Sequence, residues 1–208
     1  MIKIHHLNNS RSQRILWLAE ELGRPYEIVP YQRDATTRLA PPALKQVHPL
    51  GKSPVIDDEG RVVAETGAIL EYLVRKYDDG TLAPPVDPDS ADYRAYLHWM
   101  HFAEGSAMLP LMLALYTGRL GDAAAPLQPR IMSEIDNHLG YMNEALAGKD
   151  YLVGNTFSAA DVQNSFTLEA AAMRLGALPN LKRALGVWQA RPAYKRALEK
   201  GGVYQLGA

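Results

Sequence analysis

The sequence contains no cysteine in 208 residues. That excludes disulfides, thiolate metal sites and a Cys-x-x-Cys redox pair. Any thiol chemistry must use a thiol carried in by a substrate or cofactor. Excess charge is also missing. The chain has 22 Lys and Arg against 23 Asp and Glu, a formal net charge of −1, so nothing suggests a nucleic-acid groove or an anionic membrane surface. No apolar run approaches the roughly 18 residues that would suggest a membrane span. The opening Met-Ile-Lys-Ile-His-His reads as a strand and lacks the apolar centre of a signal peptide. A cytoplasmic protein is the default expectation. What is present, 47% hydrophobic and 22% charged residues, is ordinary for a globular protein.

Periodicity divides the chain into two halves of different kind. Residues 2 to 6 alternate, with Ile2 and Ile4 on one face, as a half-buried strand does. From Arg11 the pattern becomes helical, with Ile15, Ala19 and Leu22 at i, i+4, i+7, and stops at Gly23 with Pro25 beyond. Tyr26 to Pro30 reads as a second strand, and Ala43 to Val47 as a short helix after Pro41-Pro42. Val55-Ile56 and Val62-Val63-Ala64 flank a polar turn, Asp58–Arg61, and a helix opens at Glu65-Thr66 with Ile69, Leu70, Leu73 and Tyr77 on its buried side. Residues 1 to 77 therefore read β-α-β-α-β-β-α, a small mixed sheet with helices packed on it.

The stretch 78–89, DDGTLAPPVDPD, has linker composition. Beyond it the pattern is all helical. Ser90 to about Arg119 reads as one long helix kinked at Pro110. Pro126 to Leu146 reads as another, with Ile131, Ile135, Leu139, Met142 and Leu146 in register. Ser158 to Asp161 has the form of a capping box, opening a helix that runs to about Leu175. One or two more helices follow, split near Pro192. The fold class is α+β, with domains expected at 1–78 and 90–208 and a linker at 79–89.

SRSQRILWLAEELG (10–23), HPLGKSP (48–54), AETGAILEYL (64–73) and FSAADV (157–162) occur in this order. Together they resemble the cytosolic glutathione transferases of the bacterial, Ser-type and theta-like kind, over essentially the whole chain. The resemblance implies a thioredoxin-like N-terminal domain, an all-α C-terminal domain, glutathione as substrate, no metal and a homodimer.

It also implies roles for particular residues. Ser10 would stabilise the glutathione thiolate. Ser12 is the alternative for that role, and read from the residues alone either serine could instead be a plain N-cap of the first helix. A free thiol has a pKa near 8.5, and lowering it by about two units takes roughly 2.7 kcal/mol, which one charge-assisted hydrogen bond and a helix N-terminus can supply. Arg11 would add positive potential, or be a solvated surface charge. Pro54 would be cis, aiming the main chain of Ser53 at the cysteinyl unit of glutathione. Glu65 would accept from the γ-glutamyl ammonium, and Thr66, at the N-cap of its helix, would hold the γ-glutamyl carboxylate. Lys52 would face the glycine carboxylate. His48 stands where the family has Asn, which leaves its role open. Asp161 reads as a structural cap. A second, hydrophobic electrophilic substrate is expected between the two domains, near the stripe His101, Glu104, Met108, Met112 and Tyr116, although such a stripe is more often core.

The expected activity is conjugation of the thiolate to small hydrophobic electrophiles. Peroxide reduction, isomerisation or dehalogenation on the same site, or a non-catalytic interaction module, are the alternatives.

Overall fold

The computed structural model describes residues 1–206. They group into two compact units, one of residues 1–83 with 188–206 and the other of residues 84–187.

The first unit is built on a four-stranded mixed sheet. Strand β1 (Ile2–Leu7) lies parallel to β2 (Tyr26–Tyr31) and antiparallel to β3 (Val55–Asp58), which pairs antiparallel with β4 (Arg61–Ala64). The order is β2-β1-β3-β4, the thioredoxin-like arrangement. β1 is central, so its alternation gives way to continuous burial from Ile4 to Leu7. Glu59 and Gly60 turn the β3–β4 hairpin with φ of 55° and 85°, two left-handed residues as a two-residue turn of the primed type requires. The expected second helix is a 3₁₀ turn, Pro42–Gln46.

Helix α1 (Gln13–Glu21) is buried along eight residues, Gln13 to Glu20. A one-faced helix would not be, and the reason lies far along the chain. Helix α8 (Pro192–Gly201) packs on α1, burying Ala193, Tyr194 and Ala197. The rings of Trp17 and Tyr194 meet edge-on at 5.1 Å. Arg191 grips Glu21 at 2.6 Å, and Arg196 and Lys200 both reach Glu20. Residues 188–206 thus group with the N-terminal unit, whereas the sequence pattern alone put all of 90–208 together.

Helix α2 (Thr66–Tyr77) is pinned to β3 by a buried carboxylate. Asp58 accepts from the Tyr72 and Tyr77 hydroxyls, both at 2.8 Å, and from Lys76. Burial alone would push the Asp58 carboxyl up, but these donors prevail and hold it below the usual range.

The second unit is all-helical. α3 (Ala91–Phe102) is capped by Ser90, whose hydroxyl oxygen accepts from the Tyr93 N–H. The long helix expected over 90–119 is interrupted earlier than Pro110. A π turn covers Ala103–Ala107, and α4 (Met108–Thr117) follows. Pro110 offers no N–H to the Ser106 carbonyl and its ring crowds that oxygen, so the strain is taken up in the wider turn just before it. α5 (Gln128–Ala145) buries Ile131, Ile135, Leu139 and Met142, as its spacing dictates. α6 (Ala159–Ala170) is buried nearly throughout and opens on the Ser158–Asp161 capping box. The Asp161 carboxylate accepts from the N–H groups of Ser158 (2.8 Å) and Leu152 (2.9 Å), which makes it a structural cap. α7 (Pro179–Ala190) completes the set. Among the described residues no helix is long and apolar enough to cross a membrane.

Candidate functional site

A cleft of about 220 Å³ opens in the first unit, walled by Arg11, His48, Leu50, the run Lys52 to Val55, and the run Ala64 to Thr66. Three chain crossings build it: the β1–α1 turn, the approach to β3 and the β4–α2 junction.

The approach to β3 carries the cis Ser53–Pro54 bond that the motif implies. The Ser53 hydroxyl donates to the His5 carbonyl at 2.7 Å and accepts from the Leu7 N–H at 3.3 Å, which ties this segment to β1. Among the described residues no protein group pairs with the main-chain N–H or C=O of Ser53. The strand edge is open where it meets the cleft. Lys52 is exposed on the same wall.

At the β4–α2 junction the structure corrects one expectation. Thr66 is the first residue of α2, and the N-cap position belongs to Glu65, which makes no side-chain capping bond. Glu65 has φ 73° and ψ 123°, a conformation that L-residues rarely adopt, costing on the order of 1–3 kcal/mol. The bend leaves the Glu65 side chain exposed on the cleft wall while Thr66 is buried there. Arg14, 1% exposed, donates to the Thr66 hydroxyl at 3.4 Å. Arg14 therefore carries positive charge to the N-terminus of α2, where the helix dipole already favours an anion. The sequence analysis gives Arg14 no role. Its signal was a charged residue four positions before Leu18, inside an otherwise apolar stripe.

The β1–α1 turn carries the two candidate serines. Ser12 holds the N-cap position of α1, but its side chain caps nothing. It is completely buried, and its hydroxyl lies 2.9 Å from His6 Nδ1 and 3.2 Å from the Leu7 carbonyl, while accepting from the Leu7 N–H at 3.2 Å. Ser10, 4% exposed, lies nearer the surface, with its hydroxyl 2.8 Å from that of Ser12 and accepting from the Ser12 N–H at 3.2 Å. Arg11, between them, reaches the cleft wall. His6 Nε2 donates to the Gly201 carbonyl at 3.1 Å. Burial lowers the His6 pKa and the Gly201 carbonyl acts against it, so the ring is neutral at pH 7. A neutral ring that donates from Nε2 must accept at Nδ1.

The structure thus brings Arg11, Lys52, Ser53, Pro54, Glu65 and Thr66 onto one cleft, with Ser10 and Ser12 in the turn behind Arg11. The stripe on the longer helices belongs to the second unit. His101 is exposed in the last turn of α3, Glu104 is half-buried in the π turn, Met108 is core at 2% exposure, Met112 is half-buried and Tyr116 is 57% exposed. Among the described residues no three His, Cys, Asp or Glu side chains gather as a metal site would need.

Residues 1–75 match the family model described as glutathione S-transferase, N-terminal domain, and residues 103–191 the one described as glutathione S-transferase, C-terminal domain. Glutathione S-transferase 3 of Schizosaccharomyces pombe is 40% identical, over 96% of this chain and 88% of its own length. The crystal structure of a glutathione S-transferase from Actinobacillus pleuropneumoniae is 33% identical with a TM-score of 0.89, covering 97% of this chain and 93% of that one. A sphingomonad glutathione S-transferase, solved in complex with glutathione, is 27% identical with a TM-score of 0.78, covering 97% and 99%. Sheet order, the all-helical second unit and these matches across both halves agree: the chain belongs to the glutathione S-transferase family.

Proposed function

We propose that the protein binds glutathione in this cleft and conjugates it, through a new bond from its thiolate sulfur, to small hydrophobic electrophiles. The observation that carries the reading is the meeting, in one cleft, of an open strand edge at Ser53 with the cationic N-terminus of α2 at Thr66. A tripeptide with two carboxylates and one ammonium matches that pairing. The cysteinyl main chain pairs with the Ser53 N–H and C=O as a short added strand. The γ-glutamyl carboxylate takes the Thr66 hydroxyl and the free N–H groups of the first turn of α2, over the Arg14 charge. Glu65 receives the γ-glutamyl ammonium. Lys52 meets the glycine carboxylate as a point charge.

This pose directs the thiol toward the β1–α1 turn. There Ser10 stabilises the thiolate through its hydroxyl, with Arg11 adding positive potential. Ser12 is the weaker candidate, because its oxygen is wholly buried and already bonded to His6, Leu7 and Ser10. Catalysis then comes from raising the thiolate fraction and from holding two reactants together. Met112, half-buried on α4, suits a permissive apolar acceptor because its thioether repacks readily. The active form is a homodimer, and the chain works in the cytoplasm.

Calorimetric titration with glutathione and rate measurement with a generic aryl halide test this. Ser10→Ala should lower kcat/KM by more than tenfold, about 1.4 kcal/mol of transition-state stabilisation, with the glutathione affinity little changed. No glutathione binding, or a loss confined to Ser12→Ala, refutes the assignment.

A further inference from the structure

Four groups form a continuous hydrogen-bonded file behind the site: Ser10 Oγ, Ser12 Oγ, the His6 ring and the Gly201 carbonyl, with successive separations of 2.8, 2.9 and 3.1 Å. Its polarity follows from its far end. A carbonyl only accepts, so His6 carries its proton on Nε2 and presents a bare Nδ1. The Ser12 proton goes to that nitrogen, or to the Leu7 carbonyl at 3.2 Å. Either way it does not point at Ser10. Ser10 is then the donor in the Ser10–Ser12 bond, and beyond the Ser12 N–H its oxygen accepts from no other described residue, which leaves one lone pair able to accept.

In that state Ser10 has no proton to offer a thiolate. We propose that the file is a proton relay, in which the thiol proton of bound glutathione is accepted, through Ser10 and Ser12, by His6. The inference rests on the reading of Ser10 given above. In one concerted shift the S–H bond breaks and its proton forms a new O–H bond on Ser10. The former Ser10 proton moves to Ser12, and the former Ser12 proton forms an N–H bond at His6 Nδ1. No electrons leave the system: a thiol and a neutral imidazole become a thiolate and an imidazolium. The bonds from sulfur to Ser10, Ser10 to Ser12 and Ser12 to His6 reverse direction, the His6–Gly201 bond keeps its own, and none is lost. Ser10 now donates to the thiolate, and the imidazolium donates from Nδ1 to Ser12 and from Nε2 to Gly201. After the sulfur is consumed, the reverse shift returns the proton to the leaving-group anion or water that takes its place.

The far end is built for this contact. Gly201 lies so close to α1 that a Cβ there would fall 2.7 Å from Gln13 Oε1 and 2.9 Å from Leu16 Cδ1, with His6 Cε1 at 3.5 Å. A larger residue there would have to displace the Gln13 and Leu16 side-chain ends to present the same carbonyl to the ring. Asn9, one residue before Ser10, is held by the same tail: its side-chain oxygen accepts from the Gln205 N–H at 2.7 Å. Three titratable groups on the elements around His6 bond other partners. Arg14 of α1 bonds Thr66, Glu20 of α1 takes Arg196 and Lys200 of α8, and on β1 His5 bonds Tyr31 of β2. Burial keeps the free ring neutral, and the thiolate at the other end of the file is the counter-charge that lets it take up a proton.

The test compares thiolate formed with protons released. Wild-type protein is saturated with glutathione, thiolate is read by ultraviolet absorption, and released protons by calorimetry in buffers of different ionisation enthalpy. S-methylglutathione, which has no thiol, gives the baseline. The relay predicts more thiolate than released protons, and ¹⁵N spectra in which His6 Nδ1 becomes protonated on glutathione binding. Ser12→Ala and His6→Gln should form about tenfold less thiolate at a given pH below the thiol pKa, with one proton released per thiolate, and Ser12→Thr should restore the wild-type pattern. One-to-one release in the wild type overturns the relay without any variant having to fold. Thiolate lost in Ser10→Ala but kept in Ser12→Ala overturns the relay and leaves Ser10 in place. Full thiolate in Ser10→Ala sinks the reading of Ser10 itself.

Discussion

Replacing Glu20 with glutamine should destabilise the protein by about 2–3 kcal/mol at neutral pH. The Glu20 side chain is 7% exposed. Burial alone would raise its carboxyl pKa, but Lys200, Arg196 (2.7 Å) and the Tyr26 hydroxyl (2.7 Å) overcome that and hold it at about 2, against an ordinary value of 4.5. A difference of about 2.5 units corresponds to roughly 3 kcal/mol of preferential stabilisation in the folded state. Arg196 and Lys200 are themselves 48% and 52% exposed, so solvent screening trims the figure toward about 2 kcal/mol. The pH dependence has a definite sign. Between 2 and 4.5 the unfolded chain holds the Glu20 proton more tightly than the folded one. The contribution is therefore complete above 4.5 and disappears as the pH falls through 2. Urea unfolding of the wild type and Glu20→Gln, run in parallel over pH, isolates this one group because every other carboxylate cancels in the difference. The gap should be flat from neutral pH down to about 5, then close by no more than about 1.4 kcal/mol per pH unit. A gap under about 0.5 kcal/mol at neutral pH, or one that persists undiminished at pH 3, would refute the claim that this pairing clamps α8 to α1.

Thr66→Ala should weaken glutathione binding roughly tenfold, since it removes one hydrogen bond to a charged group, and Thr66→Ser should restore most of it. Calorimetry decides, and an unchanged dissociation constant removes Thr66 from the site. Asp161→Ala leaves the buried N–H groups of Leu152 and Ser158 without their acceptor, and should cost about 2–4 kcal/mol in denaturant unfolding. The folded fraction should keep its glutathione affinity; weaker binding at unchanged stability would contradict the capping role. Gly201→Ala should cost about 1–3 kcal/mol by overpacking against Gln13 and Leu16, and should change the ¹⁵N signature of His6. An alanine accepted with neither effect would mean that α8 does not need its close approach.

The legibility of this protein varied with sequence distance. The strand alternation at Ile2 and Ile4, the hairpin at 58–61 and the α5 stripe all stand in the structure because period and turn chemistry involve neighbours a few residues apart. The capping box at Ser158–Asp161 was legible for the same reason. The β4–α2 junction was half legible. Glu65-Thr66 marked the helix start, yet the left-handed backbone of Glu65, which moves the cap position back by one residue, has no signature in a glutamate. The break in the long α3–α4 pattern was expected at Pro110 and came before it, because a proline acts on the carbonyl four residues upstream.

The amino-acid sequence by itself determined the α+β class, the order of its elements and the short motifs at Ser10, Ser53-Pro54 and Glu65-Thr66. Each depends on side chains and backbone preferences within one turn or one strand. Tertiary packing alone decided that Arg14 would carry its charge to Thr66, 52 residues away, and that the end of α8 would meet His6 across 195 residues. Such meetings follow from which apolar faces bury each other, and the contact of Trp17 with Tyr194 that seats α8 is visible in neither helix when it is read alone.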